Sequence, residues 1–154
     1  MRFKCSSHGR RAFVRATLAL AIALPSASVM SAEKMTVYKS PTCGCCSDWA
    51  EHMKKAGFDV EIRQVPDVLP YEQKFGVPQQ LASCHVATVG GYVVEGHVPA
   101  ADVKRLLRER PKATGIAVPG MPVGSPGMEQ GPRKDRYETL LFDASGRFTV
   151  FERH

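Results

Sequence analysis

"MTVYKSPTCGCCSDWAEHMKKAG" (Met35–Gly57) carries a strand, three cysteines within four positions and a helix, in that order. "MTVYKS" (35–40) is short, β-branched and aromatic, and Pro41 closes it, which predicts a strand. In "SDWAEHMKKAG" (47–57), Trp49 and Met53, with Ala50 and Ala56, recur at helical spacing. Glu51 stands four residues before Lys55 and Gly57 supplies a stop, so this segment is expected to be a helix. The cysteines therefore sit in the strand-to-helix turn.

Outward from that unit, "DVEIRQV" (59–65) predicts a second strand and "PYEQKFGVP" (70–78) a short helix ended by Gly76 and Pro78. "HVATV" (85–89) and "YVVEGHV" (92–98) flank Gly90-Gly91 as a hairpin. "PAADVKRLLRERP" (99–111) puts Val103, Leu106 and Leu107 on one helical face between two prolines. The order β-α-β-α-β-β-α, with thiols after the first strand, implies an α/β fold with a thioredoxin-like sheet and flanking helices. A right-handed crossover makes the first two strands parallel, and the hairpin completes the sheet. "GIAVPGMPVGSPGMEQGP" (115–132) has five Gly and four Pro in 18 residues. It is read as a Met/Gly/Pro loop, excluded from regular helix and central strand, whose apolar members wrap the domain. "YETLLFDASGRFTVFER" (137–153) reads as a C-terminal β-hairpin.

The 154 residues suit one modest domain. The net charge of +6 is concentrated at one end: the first 32 residues hold five of the 21 Lys and Arg and no Asp or Glu. The remainder has 16 basic against 15 acidic residues, a net of +1. That leaves no electrostatic footprint for nucleic acid. Residues 1–32 read as a signal peptide: a basic start, the apolar run "ATLALAIALP" (16–25), then small residues. Cleavage is expected after Ala32, with Ala27 and Ser28 as alternatives. Arg10-Arg11 before Phe13 fits a twin-arginine signal as well as the general Sec route. The apolar run is too short to span a bilayer and no other long apolar segment follows, so no stable membrane insertion is expected. Residues 33–154 are then a single exported domain in an oxidising, periplasmic compartment. Cys5 leaves with the leader, and Cys43, Cys45, Cys46 and Cys84 remain.

Three chemistries compete for those thiols. Two structural disulfides would make a stapled interaction module. Cys43 and Cys46, framed as C-x-x-C at a helix start that favours thiolate, would make a thiol–disulfide oxidoreductase pair. A soft-metal site would use all four, because thiolates select Cu(I) over harder divalent ions. It requires Cys84, before the third strand, to face the first helix's N-terminus. Weaker candidate ligands are His85, which points toward or away from the site with equal expectation, and the loop residues Met121 and Met128, as metal or lid residues. His97 is expected to bond Glu95 or a backbone carbonyl, His52 to be solvated, and Met53 to fill the core.

"YKSPTCGCCSDW", "SCHVATVGGYVVEGHVPA", "RLLRERP" and "GIAVPGMPVGSPGME" together resemble the CopG-like family of small exported bacterial copper-resistance proteins, formerly a domain of unknown function. The resemblance covers about residues 35–130 and implies a thioredoxin-like domain that handles copper in the periplasm. By position, it implies Cys43, Cys45, Cys46 and Cys84 as ligands of a cysteine-bridged copper cluster of one or several ions. It also implies cycling between thiol and disulfide, and dealings with other periplasmic copper proteins.

Overall fold

A computed structural model describes residues 32–154. Residues 1–31, which hold the leader up to its last residue and Cys5, lie outside the described residues. The elements are β1 (Lys34–Lys39), α1 (Gly44–Lys55), β2 (Asp59–Gln64), α2 (Leu69–Lys74), a 3-10 turn (Gln79–Leu81), β3 (His85–Val89), β4 (Tyr92–Gly96), α3 (Ala100–Glu109), β5 (Gly115–Val118), β6 (Glu138–Phe142) and β7 (Phe148–Arg153). They form one seven-stranded sheet in the order β2-β1-β3-β4-β5-β6-β7. β1 pairs parallel with β2 and antiparallel with β3, and β3 pairs antiparallel with β4. These four strands with α1 and α3 are the expected thioredoxin-like α/β core, and β6 and β7 are the expected C-terminal hairpin.

The period-2 alternation of the strands divides the core into two. Met35 and Val37 of β1, Ala87 and Val89 of β3, and Tyr92 and Val94 of β4 face Trp49 and Met53 of α1 and Val103 and Leu106 of α3. Val86 and Val93 face the other way, against Val77, Leu81 and Phe142, with Tyr71 and Phe75 beside them. Both sheet faces are thus covered, and the buried strands read as nearly continuous apolar runs.

The loop reading of 115–132 needs correction in its first four residues. Gly115–Val118 is a fully buried strand, parallel to β4 and antiparallel to β6, so it lies inside the sheet. The Pro and Gly content that argued against a strand begins only at Pro119. Gly115 is itself required there: a Cβ on it would collide with the carbonyl oxygen of Val93, its partner on β4. From Pro119 to β6 the chain has no regular helix or strand. α1 begins at Gly44, earlier than the periodicity alone implied, which draws Cys45 and Cys46 into its first turn. Among the described residues, no helix is long and apolar enough to cross a membrane.

Candidate metal centre

The site is assembled where β1 ends, α1 begins and β3 starts. Cys43 is the N-cap of α1, and its sulfur accepts the backbone N–H of Cys46 at 3.3 Å. A sulfur at this position meets unpaired N–H groups and the positive end of the helix dipole, both of which favour negative charge. No acidic residue in the first turn opposes it. Cys43 and Cys46 are joined by a disulfide, whereas Cys45 and Cys84 are free. The sulfur of Cys45 lies 3.5 Å from that of Cys43.

Cys84 arrives from 38 residues further along the chain: its carbonyl oxygen lies 3.5 Å from the sulfur of Cys46. The sulfurs of Cys43, Cys45, Cys46 and Cys84 all lie within 4.8 Å of one another. The long-range convergence on which a four-thiol site depends is therefore present. Burial, and then the nearby Cys45, push the Cys84 thiol up to about 12. In the absence of a cation it stays protonated. A soft cation among the sulfurs would offset that cost and displace the proton. Once the Cys43–Cys46 disulfide is reduced, four thiols with no carboxylate in the group form a donor set suited to a soft metal ion.

Two histidines adjoin the cluster. His85 is fully buried and packs against the Trp49 ring, with centroids 4.4 Å apart. Its Nδ1 lies 3.4 Å from the Cys84 sulfur, so the ring points to the site. Burial first, and then neighbouring His97, lower its pKa to about 3, so it is neutral. His97 was expected to take a structural bond. It does bond a backbone carbonyl, that of Pro126 at 2.8 Å, but its Nε2 lies 3.1 Å from the Cys84 sulfur. The signal for His97 was the hairpin: Val89 pairs with Tyr92 and Val86 with Glu95. Continuing that register by two residues sets Cys84 opposite His97.

Glu95 belongs to the opposite sheet face. Its Oε1 accepts the Ser83 N–H at 2.6 Å, which holds the backbone immediately before Cys84. Burial raises its pKa, as it does that of neighbouring Glu72. His52 also departs from expectation. It is half-buried rather than solvated, and its Nε2 accepts the N–H of Ala100 at 3.2 Å, capping the start of α3. Met53 is core, as expected.

The loop after β5 lies over the site. Gly127 rests on the first turn of α1, where a Cβ would fall 2.6 Å from the Cys45 oxygen and 2.8 Å from the Trp49 nitrogen. Ser83 donates its hydroxyl to the Gly120 carbonyl at 2.7 Å. Met121 therefore follows a residue tied to the neighbour of Cys84, and it is 53% exposed. Met128 is half-buried, and its N–H donates to the Ser125 carbonyl at 2.8 Å.

A family model described as a protein of unknown function, DUF411, matches residues 81–128, from just before Cys84 to Met128. No curated protein matches the chain. Two solved structures do, both described as copper resistance protein CopG. Form 2 is 43% identical with a TM-score of 0.76, covering 80% of this chain and 98% of that one. Form 1 is 44% identical with a TM-score of 0.75, covering 79% and 96%. With that identity over nearly the whole of those chains, this protein belongs to the CopG family.

Proposed function

We propose that this protein binds copper as Cu(I) in a four-thiolate site made by Cys43, Cys45, Cys46 and Cys84, and that it serves copper resistance in the periplasm. The observation that carries this reading is the convergence of four sulfurs from two distant segments within 4.8 Å. Family membership with CopG copper resistance proteins supports the choice of metal. Thiolates can bridge, so one nest holds several ions, and monovalent copper neutralises the accumulated charge. Residues 1–32 serve as the export signal and residues 33–154 as the functional domain.

Loading of the complete four-thiolate site and the Cys43–Cys46 disulfide exclude each other. Reduction adds two electrons and two protons from a dithiol and frees two thiols, whose protons leave when the metal binds. In the experiment, reduced protein is titrated with Cu(I) under argon. It takes up more than one ion per chain, and a variant with all four cysteines changed to serine takes up none. Equal uptake by both would refute the reading.

The disulfide across the N-cap of α1 favours a second reading, a thiol–disulfide oxidoreductase acting on other proteins or on their copper centres. That activity would survive Cys45→Ser and be lost in Cys43→Ser.

A further inference from the structure

Among the described residues the seven-stranded sheet has two free edges, β2 and β7. β7 is blunted: its register against β6 slips between Thr139 and Leu140, where Phe151 is the extra residue. Natural sheets use such bulges to keep an edge from pairing with another chain. β2 has no such defence. Its residues pair with β1 in unbroken parallel register, and Ile62 near its middle is 37% exposed. The N–H groups of Asp59 and Val65 donate to the carbonyls of Glu33 and Lys39, on the β1 side. By the two-residue alternation of a strand, residues 59, 61, 63 and 65 bond toward β1. Val60, Ile62 and Gln64 therefore turn their N–H and C=O groups outward, with no strand beside them to receive them.

We propose that the β2 edge is an interface with a second copy of this chain, the two β2 strands pairing antiparallel about a two-fold axis at Ile62. Two arguments fix that register. The outward-facing residues then all form hydrogen-bonded pairs, Val60 with Gln64 of the second copy and Ile62 with its own counterpart. Glu61 falls opposite Arg63 of the second copy on both sides of the axis, in the closer, non-hydrogen-bonded positions where opposite charges attract. Moving the axis to residue 61 or to residue 63 keeps the backbone pattern but sets Glu61 against Glu61 or Arg63 against Arg63, which repel. Glu61 and Arg63 already meet within one chain at 2.9 Å, so both charges stand on the same face of the strand. An exposed apolar residue flanked by opposite charges thus makes the edge complementary to itself, as a two-fold contact requires. The pairing uses no residue of the thiol cluster and is independent of the copper reading.

The test is sedimentation of the metal-free protein from micromolar to millimolar concentration, with its thiols kept reduced so that no intermolecular disulfide contributes. It shows a monomer–dimer equilibrium. Glu61→Arg or Arg63→Glu alone sets like charges opposite each other on both sides of the axis and weakens association at least about tenfold. Combining the two exchanges restores association, because each new charge then faces its opposite. Ile62→Lys, at the axis itself, abolishes it. Hydrogen exchange of the wild type needs no variant to fold: the amides of Val60, Ile62 and Gln64 gain protection as concentration rises, whereas those of Glu61 and Arg63, already bonded toward β1, change less. A protein that stays monomeric at millimolar concentration overturns the inference. A dimer indifferent to Ile62→Lys, with those three amides left unprotected, overturns it as well, since it would use another surface.

Discussion

Gly127 and Cys45, 82 positions apart in the chain, touch backbone to backbone: a Cβ on Gly127 would stand 2.6 Å from the Cys45 oxygen. The loop after β5 is therefore fastened to the helix turn that carries the thiols. Its neighbour Pro126 reaches His97, and Gly120 reaches Ser83 beside Cys84. One segment without regular structure thus contacts the α1 start, the β3 start and the β4 exit, next to Cys45, Cys84 and His97.

Gly127→Ala is expected to cost at least about 2 kcal/mol, through a φ of +83° and overlap with helix backbone that cannot move aside. Gly131→Ala is the control. It has a φ of +71° but open space around the new methyl, so only the conformational strain applies, about 1 kcal/mol. Chemical denaturation of both variants checks this, and equal losses would show that the loop does not press on α1.

Cys84→Ser should lower the number of Cu(I) ions bound per chain while leaving the circular dichroism spectrum unchanged. The hydroxyl nearly preserves the shape of the thiol but is a poor ligand for a soft ion. Metal analysis after anaerobic loading and gel filtration reads the result. Unchanged stoichiometry would place Cys84 outside the copper site.

Much of this arrangement could be read from the chain. Periodicity placed β1, α1 and α3, because each has a one-sided apolar pattern that burial then satisfies: Trp49 and Met53 on α1, Val103 and Leu106 on α3. Long-range convergence of the thiols was an expectation of the thioredoxin-like fold, and the antiparallel pairing of β3 with β1 brings the β3 start beside the α1 start. β5 was hidden because four strand residues, Gly115–Val118, were averaged with the Pro and Gly that follow. His97 was assigned by its local neighbours, whereas its partners are Cys84 across the hairpin and Pro126 from the loop. Local composition does not report a contact made through sheet register.

Met121→Leu combined with Met128→Leu should change copper affinity or exchange rate more than stability. Met121 is mostly exposed and Met128 half-buried, so an isosteric apolar exchange is expected to cost less than about 1 kcal/mol. Competition against a Cu(I) chelator, alongside thermal melting, separates the effects. A fall in melting temperature with unchanged copper affinity would return both residues to packing.

The buried pair Glu72 and Glu95 should make the fold less stable as pH rises through neutrality. Burial raises both pKa values from 4.5, that of Glu95 to about 9, so the folded chain retains a proton that the unfolded chain has released. Stability is then greatest below the ordinary carboxylate range and declines with rising pH until the buried group ionises. The buried histidines act oppositely, since burial lowers His85 from 6.5, but their contribution is complete once pH exceeds that value. Between about pH 7 and about pH 9 the carboxyl pair should dominate among the buried groups, and the melting temperature of the wild type should fall. Glu95→Gln keeps a neutral side chain of the same shape and has no proton to lose, so its melting temperature should change less over that range. Parallel declines in the two proteins would mean that Glu95 is ionised in the folded state.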